Sequence, residues 1–216
     1  MMCFSANASF GSSILLSMIG LAAVSKTKSS SQVMFASIPF VFAIQQMTEG
    51  FIWIYVKTDH SKIFLTQLIY LYLTFAYIFW PSFIPISILL FETNSFKRKV
   101  LRVISFFGIV LSIFYSYCLI HFPVSLKFET YHLKYILGFP IGYLIIGNIF
   151  YGMTTVIPLF ISGIKKMKWL GILIVVSYVF TLMFYQEYTI SVWCYFSALI
   201  SVVIYFIINQ ECHTKE

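Results

Sequence analysis

Seven apolar segments, each near the ~20 residues that a bilayer core demands, fill most of this chain and leave room for little else. They run roughly over 8–25, 33–56, 63–91, 101–120, 136–162, 169–187 and 189–208. The connections (KTKSSSQ, KTDHSK, ETNSFKRK, HFPVSLKFETYHLK and GIKKMK) are short and polar, and none could hold a second domain. Composition agrees: 60% of the 216 residues are hydrophobic and 10% charged, against about 25% charged in ordinary soluble domains. So little polar surface cannot cover a water-soluble fold. The expected fold class is therefore all-α, a single bundle of seven transmembrane helices over 1–208. A short polar cytoplasmic tail follows at 209–216.

Charge placement sets the expected orientation. With the N-terminus outside, the inner side receives Lys26, Lys28, Lys97, Arg98, Lys99, Arg102, Lys165, Lys166, Lys168 and Lys215. The outer side receives only Lys57, Lys62, Lys127 and Lys134. This asymmetry follows the positive-inside rule and places the C-terminus inside a plasma (inner) membrane. The formal charge of +7 is spread in short runs between apolar segments, with no basic, aromatic-interleaved face to track phosphates. Nucleic acid is excluded as a partner, and anionic lipid headgroups are the expected contact. The start, MMCFSANASFGSS, lacks a positive n-region, so no cleavable signal peptide is expected.

The third segment would reach about 43 Å as ideal helix, against a hydrocarbon core of roughly 30 Å. Its centre reads YIFWPSFIP. Pro81 and Pro85 each remove a backbone donor and crowd the preceding turn, which predicts a kink or an unwound stretch. In the first segment Ser9, Ser13, Ser17 and Gly20 form a small-residue face that lets another helix approach closely.

The stretch FAIQQMTEGFIW in the second segment carries the polar residues that most need explaining. A carboxylate at mid-bilayer costs roughly 2.5–3.5 kcal/mol on insertion scales and requires a partner or a purpose. Helical spacing puts Gln46, Glu49 and Trp53 along one stripe with Gln45 beside it, and Glu49 about 10 Å below the outer end. Lipid offers no hydrogen-bond partner, so the stripe must face the bundle interior. Cys118 and His121, Gln186 and Glu187, Trp193 and Cys194, and Cys3 are expected at the same outer level. Three readings of these cysteines stand side by side. One is a Cys3–Cys194 disulfide in an oxidising exterior. Another is a zinc site drawing on Cys118, His121, either Cys194 or Cys3, and Glu49. The third treats them as small buried hydrophobes. No cofactor is expected apart from that zinc alternative. Glu92 is expected to pair with Lys97 and Arg98 at the inner face, and Asn148 and Thr154 to hydrogen-bond within the bundle.

The opening MCFSANASF, the segment PFVFAIQQMTEGFIW and the late SVWCYFSALIS together resemble an uncharacterised family of bacterial multispan membrane proteins. The residues that carry the resemblance are Cys3, Phe4, Ser5, Gln46, Glu49, Gly50, Trp53, Trp193 and Cys194. The resemblance implies no established activity. Other seven-helix families lack their chemistry here. Residues 189–208 contain no lysine for a retinal Schiff base and no histidine pair of the ceramidase type. Four histidines are too few for a di-iron desaturase.

Three function classes follow. The first binds or transports a small polar or amphipathic ligand, proton-coupled through Glu49. Gln45 and Gln46 would lie at its site, with Trp53, Trp80 and Trp193 as an aromatic lining. The second is a membrane-embedded enzyme on a lipid or lipid-linked substrate, with Glu49 as general base and Cys3, Cys194 or His121 as nucleophile or metal ligand. The third is a structural or assembly subunit whose polar patch locks helices together. The oligomeric state is not encoded in any of these features.

Overall fold

A computed structural model describes residues 5–58, 61–129 and 132–213, with the backbone alone for 211–213. Cys3, Phe4, His60 and the last three residues of the tail lie outside the described residues. The chain forms α1 (Ala6–Ser25), α2 (Ser30–Ala36), α3 (Ile38–Thr58), α4 (Lys62–Leu73), α5 (Trp80–Phe91) and α6 (Ser95–His121). A hairpin of β1 (Val124–Glu129) and β2 (His132–Leu137) follows. Then come α7 (Ile141–Thr155), α8 (Ile157–Ile161), α9 (Lys165–Phe184), α10 (Thr189–Ile200) and α11 (Val203–His213). Among the described residues, six helical stretches are long and apolar enough to cross a membrane: 6–25, 62–91, 95–121, 141–161, 165–184 and 186–210. Helix α3, with its polar stretch, is not one of the six. Outward faces carry large apolar side chains such as Phe106, Ile113, Ile145, Ile146, Val176 and Met183. The chain is built as a membrane protein.

The expectation of an all-α fold needs one correction. The connection expected as a loop pairs as an antiparallel hairpin, Val124 opposite Leu137 and Glu129 opposite His132. In VSLKFE and HLKYIL apolar residues alternate with polar ones, the period that buries one face of a strand. Leu133 and Tyr135 are buried while Lys134 and Ile136 face out. The fifth helical stretch accordingly starts at Ile141 rather than at 136, and α11 runs on to His213 instead of ending at 208.

Helix α1 lies along α3 on the small-residue face. Ser9, Ser13 and Gly20 are buried, and the Ser13 hydroxyl donates to the Ala43 carbonyl at 2.7 Å. A Cβ at Gly20 would fall 2.6 Å from the backbone nitrogen of Phe40, so only glycine permits this approach. Apolar packing forms two zones. One, around Leu16, Phe35, Ile88, Leu101, Met167 and Ile208, fills the half bearing the basic helix ends. The other, around Ile52, Tyr72, Leu73, Tyr115, Leu133 and Val192, fills the half beneath the hairpin.

Between α4 and α5 the chain winds as a π-helix over Thr74–Phe79, and the Trp80 N–H reaches back five residues to Phe75. Such a wide turn precedes Pro81 because the proline ring cannot sit against a regular preceding turn. Pro85 in turn denies the Pro81 carbonyl its helical donor. Helix α6 packs onto this exposed backbone: Gly108 sits directly against the Pro81 carbonyl oxygen. The Ser112 hydroxyl donates to Ile78 O at 2.6 Å. A serine and a glycine thus serve carbonyls that two prolines and a π turn leave open.

At the basic end, Glu92 is 3% exposed. Its carboxylate accepts the backbone N–H groups of Thr93 and Asn94, both at 2.9 Å, and of Gly163 at 2.5 Å. The expected pairing with Lys97 and Arg98 is therefore secondary. Arg98 donates to the Glu92 backbone carbonyl, at 3.2 Å. Burial alone would raise the Glu92 pKa, but the three backbone donors and the nearby Lys97 charge outweigh it and hold it below the usual carboxylate range. This clamp ties the α5–α6 turn to the α8–α9 turn.

Two outcomes are expected. Gly108→Leu should force α6 away from Pro81 and cost about 1–3 kcal/mol, the usual penalty of overpacking. It would be read as a lowered melting temperature in detergent. Glu92→Gln should destabilise by about 2–3 kcal/mol, because an amide cannot accept three buried donors. A depressed folded-state pKa adds stability that is present above the ordinary carboxyl value and lost as pH falls through the folded value. The gap between wild type and Glu92→Gln should therefore narrow on acidification, and a gap constant with pH would refute the role.

Candidate functional site

The polar residues of α3 converge inside the hairpin half of the bundle. Gln45, Gln46 and Glu49 are at most 2% exposed, which a helical spacing of three and four directs to one interior face. Thr48 is satisfied within its own helix by the Ile44 carbonyl, at 2.9 Å. Glu49 Oε1 accepts from the Ser191 hydroxyl on α10 at 2.5 Å. Gln45 Oε1 accepts from the Trp80 indole N–H at the start of α5, at 2.7 Å. The Trp80 ring is stacked on Phe42 at 4.0 Å. One helix therefore reaches two others through buried polar bonds.

The remaining polar atoms of the cluster are not matched. Gln45 Nε2, both side-chain amide atoms of Gln46, and the hydroxyls of Tyr72 and Tyr135 are buried without a hydrogen-bond partner. Tyr72 and Gln46 lie beside the Glu49 carboxyl, and Cys194 lies beside Gln45, Tyr72 and Glu49. An unpaired buried polar group costs about 1–3 kcal/mol. Several such atoms gather here around the Glu49 carboxyl.

The hairpin roofs this cluster. Tyr135 stacks on Tyr72 at 5.0 Å and 8° between planes. Phe128 meets the Trp53 ring edge-on at 5.8 Å, and Lys57 Nζ sits 5.5 Å from the centre of the same ring. Charged and polar contacts fasten the roof to the α9–α10 turn. Lys134 pairs with Glu187 at 2.7 Å, the Tyr188 hydroxyl donates to the Glu129 carboxylate, and His132 stacks on Tyr188 at 4.3 Å. The Tyr188 hydroxyl and Lys127 hold the Glu129 pKa low. Glu187 holds that of Lys134 high.

The sequence-derived residues thus separate into groups. Gln45, Gln46, Glu49 and Trp80 come together, with Trp53 one turn nearer the hairpin. Trp193 lies to the side, packed on Tyr178 at 4.8 Å and Tyr151 at 5.7 Å. Cys194 adjoins the cluster. Cys118 is buried, whereas His121 is exposed and its ring stacks on Tyr117 at 4.1 Å. Among the described residues no three His, Cys, Asp or Glu side chains gather as metal ligands. The trio of Cys118, His121 and Cys194 is not brought together, because Cys118 turns inward and His121 outward on successive faces of α6. Cys3, and with it the pairing to Cys194, lies outside the described residues. Asn148 is exposed, and the Thr154 hydroxyl bonds within its own helix to Phe150 O at 3.0 Å.

Sequence reasoning missed Ser191, Tyr72 and Tyr135. Ser191 stands three residues before Cys194 in SVWCYF, one helical turn away on the same face. That spacing was a readable signal. Tyr72 and Tyr135 were hidden among 15 tyrosines.

No curated protein matches the chain. No solved structure matches it either. The profile of a family of unknown function, DUF6629, matches residues 2–216, and the chain belongs to that family.

Proposed function

We propose that this protein binds or transports a small polar or amphipathic ligand across the bundle and couples that event to a proton on Glu49. The observation that carries this reading is the buried Gln46 amide beside the Glu49 carboxyl, neither of whose polar atoms completes a hydrogen bond of good geometry. The Ser191 hydroxyl donates to Glu49, and the Tyr72 hydroxyl and the Gln46 amide stand beside it, able to donate on a small rotation. They suit an ionised carboxylate. Gln46 Oε1 instead needs a donor, and a protonated Glu49 supplies one. The cluster can therefore satisfy itself in two ways that differ by one proton. Such alternatives support proton coupling and are not required of a group that only joins helices. In this reading the basic ends of α6 and α9 face the cytoplasm, the hairpin faces outward, and the π turn before Pro81 supplies a compliant joint next to Trp80.

Glu49→Gln keeps the shape and removes the proton. The infrared pH-difference spectrum should lose its carboxylic-acid C=O band in this variant. Purified protein in proteoliposomes should lose ligand-dependent proton uptake while eluting as folded protein. An unchanged band and unchanged uptake would sink the proposal.

A second reading, an enzyme on a lipid or lipid-linked substrate, is favoured by the position of Cys194 beside Glu49. Cys194→Ser separates the two. It should leave the Glu49 carboxyl band and proton uptake intact if ligand binding is the function. It should abolish turnover of an added lipid ester if the thiol is a nucleophile.

A further inference from the structure

Beyond the Glu49 cluster, a cavity of about 350 Å³ opens between α7 and α9. That volume lies in the ~300–1,000 Å³ range of small-molecule sites. On α7 and at its C-terminal cap the lining residues Asn148, Gly152 and Val156 follow at intervals of four. On α9 Val175, Tyr178 and Leu182 follow at three and four, so two helical stripes face each other across the opening. The helical stretches that carry these stripes, 141–161 and 165–184, have the least buried surface of the six apolar ones. In a bilayer the mouth between them therefore opens to lipid and not to water.

The lining is graded along its length. Gln186 and Thr189 stand at the hairpin end, Asn148 lies about 10 Å along α7 from its start, and Val156 and Val175 lie deeper. From Gln186 to Val175 is about 16 Å along the helix, a span that suits a polar head above a flexible chain. No lining residue carries a charge, although the amides, the threonine and the tyrosines offer both donors and acceptors. Trp193 and Cys194 form the inner wall. Both also line a smaller apolar cavity that contains Trp80, the partner of Gln45.

We infer that this cavity is a lateral portal that takes a single-chain amphiphile with an uncharged, hydrogen-bonding head from the bilayer. The head lies among Asn148, Gln186 and Thr189, and the chain runs down between Val156 and Val175. The amphiphile meets the protein at Trp193. This site does not depend on whether Glu49 carries a proton, so the two proposals fail separately.

The test is quenching of Trp193 fluorescence by a monoacylglycerol with a dibrominated chain, added to the full-length protein in phosphatidylcholine nanodiscs. The Trp193 signal is the difference between wild type and Trp193→Phe. Saturable quenching is expected, and Gly152→Leu should reduce it several-fold by filling the mouth. A Cβ at Gly152 meets no atom within 4 Å, so the backbone accepts the change. Should that variant fail to elute as folded protein, Val175→Phe blocks the same mouth from α9. The matching dibrominated fatty acid, ionised at alkaline pH, should quench markedly less. Non-saturating quenching that is equal in the blocked variant would overturn the portal. Equal quenching by the carboxylate would overturn the assignment of an uncharged head.

Discussion

A carboxyl group in an apolar bundle must find a donor, and Glu49 finds the Ser191 hydroxyl. That bond joins α3, in the first half of the chain, to α10, near its end. The rest of the hairpin half is arranged about it. Gln45, one turn earlier, fixes Trp80 at the start of α5. Trp80 follows the π turn that makes room for Pro81, and the backbone opened there is covered by Gly108 and Ser112 of α6. A chain of polar obligations thus runs from α3 to α10 on one side and to α6 on the other. Apolar packing alone would not single out these neighbours, since lipid is as apolar as leucine.

The hairpin belongs to the same logic. The buried cluster is at one end of the bundle, where bare helix ends would leave a path to water. Tyr135 and Phe128 close that path by stacking on Tyr72 and Trp53. The Lys134–Glu187 pair that also ties the hairpin to the α9–α10 turn is ionic and exposed. Surface pairs of this kind are worth ~0–1 kcal/mol each. The hairpin is thus held mainly by its buried face, with Leu133 and Tyr135 packed into the core beneath it.

Much of the architecture was legible because bilayer length acts on every segment at once. The small face of α1, the interior direction of Gln45, Gln46 and Glu49, and the disturbance before Pro81 all follow from spacing and backbone chemistry. The hairpin was legible too, since Val124, Leu126 and Phe128 alternate with polar residues. It was passed over because a polar connection between two spans invites no strand. The partners of Glu49 were harder. Periodicity gives depth and face within one helix but not which helices adjoin, so Ser191 and Tyr72 could not be assigned to Glu49. Cys118, His121 and Cys194 share a depth in the same way, while Cys118 is buried and His121 exposed.

The two buried glutamates give the clearest measure of what the cluster is for. Glu92 and Glu49 are almost equally hidden, at 3% and 2% exposure. Around Glu92 the chain supplies three backbone N–H donors, which are fixed in their turns, only donate and do not titrate. That carboxylate is held ionised and does one task, clamping two turns. Around Glu49 the chain supplies side chains instead: a hydroxyl, a phenol and an amide, each able to rotate and to donate or accept. It leaves the amide unmatched. The same fold thus shows how it treats a carboxyl meant only to hold structure, and it treats Glu49 differently. Adaptable neighbours are costly where one state suffices and necessary where two must be satisfied, and it is on this contrast with Glu92 that the proposed proton-linked role of Glu49 rests.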